Sequence, residues 1–506
     1  MRVLLINANR RHDLFAAPPV GICYVATAAE SAGHDVQVYD LCFETNADAA
    51  LSRAVSACQP EVVGISIRNV DNVNMLYPVS YLPEAKEVVG RIRALTGVPL
   101  VLGGSGASLM PEHVLRFLDA DYIVAGDGEA SFINLLAAFE GGDEANDVPG
   151  VGFVRDGTFR FTRPQVPDHS PWSPNLGRWI DMVPYQRVGG SYCVQTKRGC
   201  RHSCIYCTYN QLIEGRGIRL RPPKEVVDEI EDALFRYAPE TFEFVDSVFN
   251  DPLDHCAEVL EEIAARPWKA RFTAMGVSPK GLDRGFLRLM RRAGFTYFWM
   301  SPESASSVML EAYRKGFGVD ALHSAAEAIK TTNFSVLWSF LIGGPGETNN
   351  TVKETFDFVL KYMSDSSGPS FNMASYFVGV RVYPDTVLWR RAEEERFVTS
   401  ADNPLQQLWY LSEQLDLTLL AKQMSDASVA CPNMMSGFDE RYLYLSRLLA
   451  TAAKVFRTPK PYWRVICRIN DLIIKSGLHF LFKPPDIVPS LQEQLRRQGY
   501  SGPLLG

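Results

Sequence analysis

The stretch Lys197-Arg198-Gly199-Cys200-Arg201-His202-Ser203-Cys204-Ile205-Tyr206-Cys207 decides the fold. It carries three thiols, separated by three and then two residues, and an aromatic residue precedes the third. A short loop with this spacing can turn all three sulfurs towards one small centre. Thiolates are the usual ligands of iron–sulfur clusters, and soft sulfur favours such clusters or zinc. Three ligands on a four-iron cluster leave one iron open, and a substrate can bind there.

A structural zinc ion is the first alternative for these thiols. Such an ion needs a fourth ligand, and His202 lies between two of the cysteines rather than at a finger-like spacing downstream. Buried thiols without any metal are the second alternative. The spacing favours the cluster, with Cys200, Cys204 and Cys207 as its ligands.

Length and composition exclude several classes of protein. At 506 residues the chain is too long for one ordinary domain, and two or three domains are expected. The 46% hydrophobic and 22% charged content is typical of a globular protein with ample core. The net charge of −7 argues against a nucleic-acid partner. No run of about 18 apolar residues occurs, so the sequence predicts no membrane span.

The cysteine content predicts a reducing compartment. The chain has 10 cysteines, few for its length, and those outside the loop are scattered. A disulfide framework is therefore not expected, and a cytoplasmic location suits an oxygen-sensitive cluster. The strand-like segment directly after Met1 is too short for the core of a signal peptide.

Residues 1–145 alternate short apolar runs with helical patterns. The predicted strands are Arg2–Ile6, Val36–Tyr39, Val62–Ile67, Leu100–Leu102 and Tyr122–Val124. The predicted helices are Gly21–Ala32, Asp48–Ala57, Pro83–Leu95, Pro111–Leu118 and Glu129–Phe139. Five such β-α units predict an α/β domain with a Rossmann-like, doubly wound parallel sheet. Its ligand is expected beyond the carboxyl ends of the strands.

Glycine-rich loops follow two of these strands. Gly103-Gly104-Ser105-Gly106 follows the fourth, and Gly126-Asp127-Gly128-Glu129 follows the fifth. Glycines at these positions let a bulky or phosphate-bearing ligand approach the backbone, although a bare structural turn is the alternative. No G-x-G-x-x-G motif follows the first strand, which argues against a dinucleotide.

Residues 146–190 are predicted to form a hairpin and a linker. The segment 148–162 alternates as two strands around the tight turn Asp156-Gly157. A proline-rich segment follows it and is typical of an ordered connection between domains.

Residues 191–398 resume the alternation of strand and helix. The predicted strands are Tyr192–Thr196, Thr241–Val245, Arg271–Ala274, Phe295–Met300, Val336–Ile342 and Phe371–Val380. The predicted helices are Pro223–Tyr237, Asp254–Arg266, Arg284–Ala293, Val319–Thr331 and Thr351–Met363. Six β-α units predict a partial (β/α)6 barrel, whose chemistry occurs at the carboxyl ends of its strands. The cysteine loop follows the first of these strands.

The cysteine loop resembles the signature of the radical S-adenosylmethionine (SAM) superfamily. The first domain is similar to the cobalamin-binding domains that precede many radical SAM barrels. The resemblance implies that the three cysteines hold a 4Fe–4S cluster whose fourth iron is chelated by SAM. The residues that it implies for SAM binding are Tyr206, Asp246, Ser247, Glu303, Ser304, Gly343 and Gly344.

Parts of the SAM site depart from the family pattern. The family's Gly-Gly-Glu-like turn lacks its two glycines here, so Asp246 and Ser247 would replace that contact. Ion pairing at the barrel rim is the alternative for Asp246 and Glu303, and simple packing is the alternative for Tyr206. Arg198 and Lys315 are further candidates for contacts to the cluster or to SAM, with solvated surface charge as the alternative.

The cobalamin signature is also incomplete. The implied cobalamin-binding residues are Ser66, Arg68, Asn69, Gly103, Gly104, Ser105, Gly126, Gly128 and Glu129. The family's motif that supplies an axial histidine is missing, and His12 is interpreted as a solvated side chain. Cobalt is therefore expected to lack a histidine ligand from the protein, with Arg68 and Asn69 near its lower face. A helix-capping role is the alternative for Asn69.

Residues 399–506 are predicted to form a helical cap or substrate domain. The candidate helices are Leu405–Ala421, Glu440–Phe456, Tyr462–Leu478 and Leu491–Gln498. Aromatic residues interleaved with basic ones near residues 462–482 would suit a lipid surface or a hydrophobic substrate. A cap packed on the barrel is the simpler interpretation.

Together these features predict a cobalamin-dependent radical SAM enzyme. The resemblance implies a C-methyltransferase that moves a methyl group from methylcobalamin to an unactivated carbon, after a 5′-deoxyadenosyl radical has abstracted hydrogen. The alternative is a non-methylating rearrangement, cyclisation or oxidation on the same cofactors. The expected partners are a small or hydrophobic substrate and an external electron donor of flavodoxin or ferredoxin type, without nucleic acid.

Overall fold

The structure of the protein, a computed structural model, describes residues 1–11, 16–142, 145–165, 172–364, 368–436, 461, 463–476 and 487–505. It confirms the predicted α/β class. A seven-stranded sheet comes first along the chain. Two parallel sheets, of three and four strands, follow it and form the barrel. The predicted helix of residues 440–456 lies outside the described residues, and so does His12.

The N-terminal sheet is parallel over its first five strands. Its strand order is β2-β1-β3-β4-β5-β6-β7. The strands are β1 (Arg2–Asn7), β2 (Asp35–Asp40), β3 (Val62–Ser66), β4 (Leu100–Gly103), β5 (Tyr122–Val124), β6 (Val151–Arg155) and β7 (Thr158–Phe161). The order reverses between β1 and β3, which is where a doubly wound sheet opens its ligand crevice.

Helices cover both faces of this sheet. They are α1 (Val20–Ser31), α2 (Ala47–Cys58), α3 (Leu82–Leu95), α4 (Ser105–Leu109), α5 (Pro111–Leu118) and α6 (Gly128–Gly141). Alternate residues of β1 enter different cores, because successive strand side chains point to opposite faces. Leu4 and Ile6 pack with α2, α3 and α5, whereas Val3 and Leu5 belong to a core that also contains barrel residues. One apolar core therefore joins the N-terminal sheet to the barrel.

The predicted hairpin extends the N-terminal sheet. Asp156 and Gly157 both adopt positive φ, 50° and 75°, as a tight two-residue turn between twisted strands requires. β6 pairs antiparallel with β5, so the hairpin continues the sheet, whereas the sequence had grouped it with the linker. The short helices α7 (Leu176–Trp179) and α8 (Met182–Arg187) then lead to the barrel. The domain boundaries stay a prediction.

The barrel contains all six predicted strands. The other strands that the structure describes are β8 (Tyr192–Val194), β9 (Lys197–Arg198), β10 (Arg219–Leu220), β11 (Phe242–Phe244), β12 (Phe272–Ala274), β13 (Tyr297–Glu303), β14 (Ser335–Ile342), β15 (Phe371–Val378), β16 (Val380–Arg381), β17 (Trp409–Tyr410) and β18 (Met434–Ser436). β8, β11 and β12 form one parallel sheet, and β13, β14, β15 and β18 form the other. A parallel bridge between Phe272 and Phe295 links the two, and β18 adds a strand that the sequence analysis had missed.

The outer helices of the barrel are α9 (Pro223–Tyr237), α10 (Leu253–Ala265), α11 (Arg284–Arg292), α12 (Ser307–Ala312), α13 (Val319–Lys330), α14 (Asn349–Met363) and α15 (Val387–Glu394). Five of them agree closely with prediction, whereas α12 and α15 were not predicted. Their buried faces pack on the strands, as amphipathic patterns predict. This ring leaves the loops at the carboxyl ends of the strands to build a site.

The C-terminal part contains α16 (Leu417–Ala430), α17 (Trp463–Lys475) and α18 (Ile487–Arg497). The predicted helix Leu405–Ala421 is wrong up to Asp416, and Trp409 and Tyr410 within it form β17 and pair with β16. The helix begins only at Leu417, where Asp416 accepts a hydrogen bond from the Leu419 N–H at 2.9 Å as N-cap.

Ion pairs tie the N-terminal domain to the barrel. Asp71, beyond β3, pairs with Arg381 at 2.9 Å, and both side chains are almost fully buried. A second set of charges, described below, joins the loop after β5 to the cysteine loop. None of the described helices is long and apolar enough to cross a membrane.

Candidate functional site

The cysteine loop lies at the carboxyl end of β8, as barrel chemistry requires. Cys200 is buried, and Cys204 and Cys207 are partly buried. Burial raises the pKa of all three thiols, that of Cys207 to about 11, and charge on one thiol raises the pKa of its neighbours. The sulfurs are therefore close enough to repel one another as thiolates, and bound iron would relieve that repulsion.

Among the residues that the structure describes, no three His, Cys, Asp or Glu side chains converge as ligands of one ion. The three thiols are compatible with a four-iron cluster, because each cysteine of a cluster binds a different iron.

Tyr206, Glu303 and Lys315 form a hydrogen-bonded triad beside the cysteines. The Tyr206 hydroxyl donates to Glu303 Oε1 at 2.8 Å. Lys315 Nζ lies 3.2 Å from the same oxygen and also donates to the Ser301 carbonyl at 2.8 Å. Burial alone would lower the pKa of Lys315, but Glu303 and the Cys204 thiol raise it above its ordinary value. Lys315 is thus a buried cation that faces the cysteine loop.

The backbone at Glu303 is strained. Its φ is 68°, and the register between β13 and β14 shifts between Met300 and Glu303. A bulge of this kind re-aims a side chain at the end of a strand, and strained residues persist where their surroundings hold them. Tyr206 and Lys315, which both bind Glu303 Oε1, supply that restraint.

Asp246 is engaged inside the barrel. Its side chain is fully buried and accepts hydrogen bonds from the Thr196 N–H and hydroxyl, each at 2.8 Å, and it lies 3.7 Å from Lys197 Nζ. These contacts tie the end of β8 to the end of β11. They are the contacts that the ion-paired alternative for Asp246 requires, and its contact with SAM stays a prediction.

Glu214 is a site residue that the sequence analysis missed. Its carboxylate accepts hydrogen bonds from the Gly199 N–H at 2.9 Å and from the Ser247 hydroxyl at 3.2 Å. Burial raises its pKa. Ser247, a predicted SAM residue, is thereby brought next to the first cysteine. No spacing in the sequence marks Glu214, because its partners are contributed by other segments.

The glycine turn after β14 is held from within. Glu347 accepts hydrogen bonds from the Gly343 and Gly344 N–H groups. Gly344 packs against the Tyr313 ring, where a Cβ would overlap the ring. Tyr313 in turn stacks edge-on with Tyr206, with 5.6 Å between ring centroids, so this turn adjoins the triad.

Ser304 takes a different place from its neighbour Glu303. It is fully buried, and its hydroxyl lies 2.9 Å from that of Thr355 in α14. The same threonine oxygen accepts the Ala305 N–H at 3.1 Å. These contacts give Ser304 a positioning role for the strand end.

The loops after β3 and β4 meet at the carboxyl edge of the N-terminal sheet. Gly104 has a φ of 98° and packs against the Ile67 carbonyl, and the Ser105 hydroxyl donates to the Arg68 carbonyl at 2.7 Å. The side chains of Arg68 and Asn69 are exposed at this edge. Ser66 and Gly103 pair at the ends of the two strands. The predicted cobalamin residues of these two loops therefore lie together.

The loop after β5 reaches the barrel. Glu129 is buried, and its carboxylate binds both terminal nitrogens of Arg198, at 3.1 and 2.5 Å. Asp127 pairs with Arg219 at 2.5 Å. Gly126 has a φ of 84° and lies against Pro164. Of the predicted cobalamin residues, Glu129 thus contacts the cysteine loop itself.

Two family profiles match the chain. A B12 binding domain profile matches residues 7–136, and a radical SAM superfamily profile matches residues 194–359. The chain belongs to the radical SAM superfamily and carries a B12 binding domain before its barrel. It is an enzyme of that superfamily.

Known relatives agree with this assignment. The tryptophan 2-C-methyltransferase of Streptomyces laurentii is 25% identical over 447 residues, which cover 76% of this chain and 73% of the relative. The anaerobic magnesium-protoporphyrin IX monomethyl ester cyclase of Cereibacter sphaeroides is 26% identical over 382 residues, which cover 72% of this chain and 60% of that one.

A solved structure shares the fold over nearly the whole chain. It is the radical SAM methyltransferase TsrM of Kitasatospora setae, with tryptophan substrate and a SAM analogue bound. The two superimpose with a TM-score of 0.81 at 22% identity and cover 94% of this chain and 100% of that chain. The arrangement of the B12 binding domain and radical SAM barrel is therefore that of a known fold.

Gly199 offers a test of the cysteine loop of this barrel. Its φ is 86°, and an added Cβ would overlap the Gly217 carbonyl oxygen. We expect Gly199→Ala to lower the free energy of unfolding by about 1–3 kcal/mol and to reduce reconstituted iron, because the loop must shift. Gly217→Ala is the matched control, since its Cβ meets nothing within 4 Å. Wild-type stability and iron content in Gly199→Ala would contradict the prediction.

Glu347 predicts a pH dependence of stability. Burial raises its pKa from 4.5 to about 8, although the two N–H groups that it binds lower it. The folded state therefore holds a proton that the unfolded state has lost, and stability falls as pH rises from 4.5 to 8, by up to about 1.4 kcal/mol per pH unit. We expect urea unfolding of Glu347→Gln to lack this slope. Parallel pH profiles of the variant and the wild type would refute it.

Proposed function

We propose that this enzyme is a cobalamin-dependent C-methyltransferase. The methyltransferases among its relatives support this reaction class. The observation that carries the proposal is the direct contact between the two cofactor-type regions. Arg198, two residues before the first cysteine, is bonded to Glu129 of the B12 binding domain. A cluster loop and a corrinoid-binding edge that touch can share one reaction cavity.

The cluster is assigned to the three cysteines of the loop. Cys200, Cys204 and Cys207 are soft donors of the right number, and the buried Lys315 offsets their negative charge. When loaded, the cluster with SAM supplies a radical and the corrinoid supplies a transferable methyl group. The chain's own part is to bind, orient and shield these groups.

The SAM site is proposed at the barrel mouth beside the triad. Glu303 and Tyr206 present a carboxylate and a hydroxyl, and Lys315 presents a cation that can meet the SAM carboxylate. Ser247, held by Glu214, lies next to the first cysteine and suits the SAM amino group. The turn Gly343-Gly344 is assigned to the adenine, and Asp246 and Ser304 are assigned positioning roles.

The corrinoid site is proposed at the switch edge of the N-terminal sheet. Ser66, Gly103, Gly104 and Ser105 would receive its tail, and the glycines Gly126 and Gly128 leave room beside the fifth strand. The exposed Arg68 and Asn69 would face cobalt in place of a histidine. The packing of α4 against the turn Tyr209–Ile213 supports the placement, because it brings this edge next to the cysteine loop.

The substrate is proposed to be a small molecule, with tryptophan as the first compound to test. That choice rests on the substrate in the TsrM structure. An external electron donor is proposed because the cluster must be reduced. A cytoplasmic location is proposed because all ten cysteines are free. Nucleic acid is not proposed as a partner.

Product analysis tests the reaction class. Reconstituted protein with SAM, hydroxocobalamin and a reductant should form S-adenosylhomocysteine, with transfer of an isotopically labelled SAM methyl group to the substrate. A cyclase or oxidase would form no S-adenosylhomocysteine, and the labelled methyl would stay on uncleaved SAM or on the methionine that SAM cleavage releases. Turnover without S-adenosylhomocysteine would exclude the methyltransferase. A protein that retains no corrinoid absorbance after incubation with hydroxocobalamin would exclude the cobalamin assignment as well.

A further inference from the structure

The cysteines sit in a loop whose base is very short. β9 and β10 pair antiparallel through only two residue pairs, with Arg219 opposite Arg198 and Leu220 opposite Lys197. Residues 199–218 lie between these strands and contain all three loop cysteines. The position of the cluster therefore depends on what holds this two-strand base in place.

Two like charges face each other across that base. Like charges directly opposite on neighbouring strands repel and destabilise the pairing. The side chains of Arg198 and Arg219 are only 14% and 10% exposed, so water screens the repulsion weakly. A base built this way needs carboxylates from elsewhere in the chain.

The loop after β5 supplies those carboxylates. Glu129 binds Arg198 through two nitrogens, the planar two-point geometry that arginine favours. Asp127 pairs with Arg219 at 2.5 Å and lies 3.4 Å from Arg198. The Arg198 guanidinium also lies 4.5 Å above the Tyr24 ring of α1. Two arginines and two acids thus form a neutral, buried group across the two domains.

We propose that Asp127 and Glu129 position the cysteine loop through Arg198 and Arg219, and that Glu129 does not bind the corrinoid. The carboxylate of Glu129 is 5% exposed, and both of its oxygens are occupied by Arg198. Its carboxylate is thus committed to Arg198 and is almost closed to solvent. The statement that Glu129 does not bind the corrinoid rests on the proposed function, whereas the positioning of the cysteine loop does not.

Glu129→Gln tests the inference. We expect a chelator to remove cluster iron about tenfold faster than from the wild type, because one charge-assisted pair is lost. The electron paramagnetic resonance signal of the reduced cluster should broaden, since the loop is held less firmly. The affinity for hydroxocobalamin should stay within about twofold of the wild type, which a corrinoid ligand would not allow.

A double-mutant cycle separates positioning from general destabilisation. With Arg198→Gln already present, Glu129→Gln should add little to the rate of iron loss, because the pair is already broken. The matched control is Asp71→Asn, which breaks an equally buried pair between the same two domains away from the cysteines. Asp71→Asn should not slow reconstitution of the cluster, and it should change iron retention much less than Glu129→Gln does.

Four results would overturn the inference. They are wild-type iron retention in Glu129→Gln, clearly weaker hydroxocobalamin binding in that variant, additive effects in the cycle, and equal iron loss in Asp71→Asn. If Glu129→Gln does not fold, Asp127→Asn tests the positioning of the loop, because it removes the carboxylate that pairs with Arg219 and leaves the Glu129 pair in place. If even the wild type binds no corrinoid, the proposed function fails, and the iron-retention cycle still decides the positioning role.

Discussion

Cys204→Ala should abolish cluster binding and SAM cleavage. Cys204 lies between the other two ligands in the chain and next to the buried cation Lys315. With two thiols remaining, a four-iron cluster has two iron corners without protein ligands and should not survive purification. We expect iron and sulfide analysis after anaerobic reconstitution to fall to background, and 5′-deoxyadenosine formation to disappear.

Cys58→Ala provides the matched control. Cys58 is another buried, free thiol, but it lies in α2 of the N-terminal domain. Its loss should cost a little packing energy and leave the iron content unchanged. A Cys204→Ala protein that kept wild-type iron and cleaved SAM would remove the basis of the whole assignment.

Much of the fold was predictable because local sequence patterns determine its strands and helices. Short apolar runs, typical of strands that are buried on both faces, predicted the parallel strands. Both ends of α9 were predicted correctly, because Pro223 marks its first turn and the helical spacing of apolar residues stops near its last residue. The helix predicted for residues 405–416 was wrong, because a non-local contact determines the secondary structure there. β17 exists through its pairing with β16, and such pairing overrides local helical preference.

The site was predictable only where its chemistry is contiguous in sequence. The spacing of three cysteines marks the cluster loop directly. Glu214 and Arg219 carry no such signal, because their partners lie in other segments. The contacts of Asp246 carry no signal in the sequence either, since its partner Thr196 lies in another segment, after β8. Glycines around Glu129 suggested a ligand loop, whereas the contact with Arg198 emerges only from the packing of two domains.

Lys315→Met should destabilise the protein and the cluster together. The change leaves the Glu303 carboxylate, 13% exposed, without its cation, and breaking a buried pair on one side costs about 3–5 kcal/mol. It also removes the charge that lowers the pKa of Cys204. We expect a lower unfolding midpoint in urea and, in redox titrations followed by electron paramagnetic resonance, a more negative cluster potential, because a nearby cation favours the reduced cluster.

The double variant Lys315→Met/Glu303→Gln distinguishes the two effects. Removing the stranded carboxylate should recover most of the lost stability, since both partners of the pair are then neutral. Two effects on the cluster potential oppose each other in the double variant. Loss of the Lys315 charge makes the potential more negative, and loss of the Glu303 charge makes it less negative. Lys353→Met is the control, because its pair with Asp357 on α14 is exposed and worth about 0.5 kcal/mol or less. Equal destabilisation by Lys353→Met, or no recovery in the double variant, would show that the triad does not restrain Glu303.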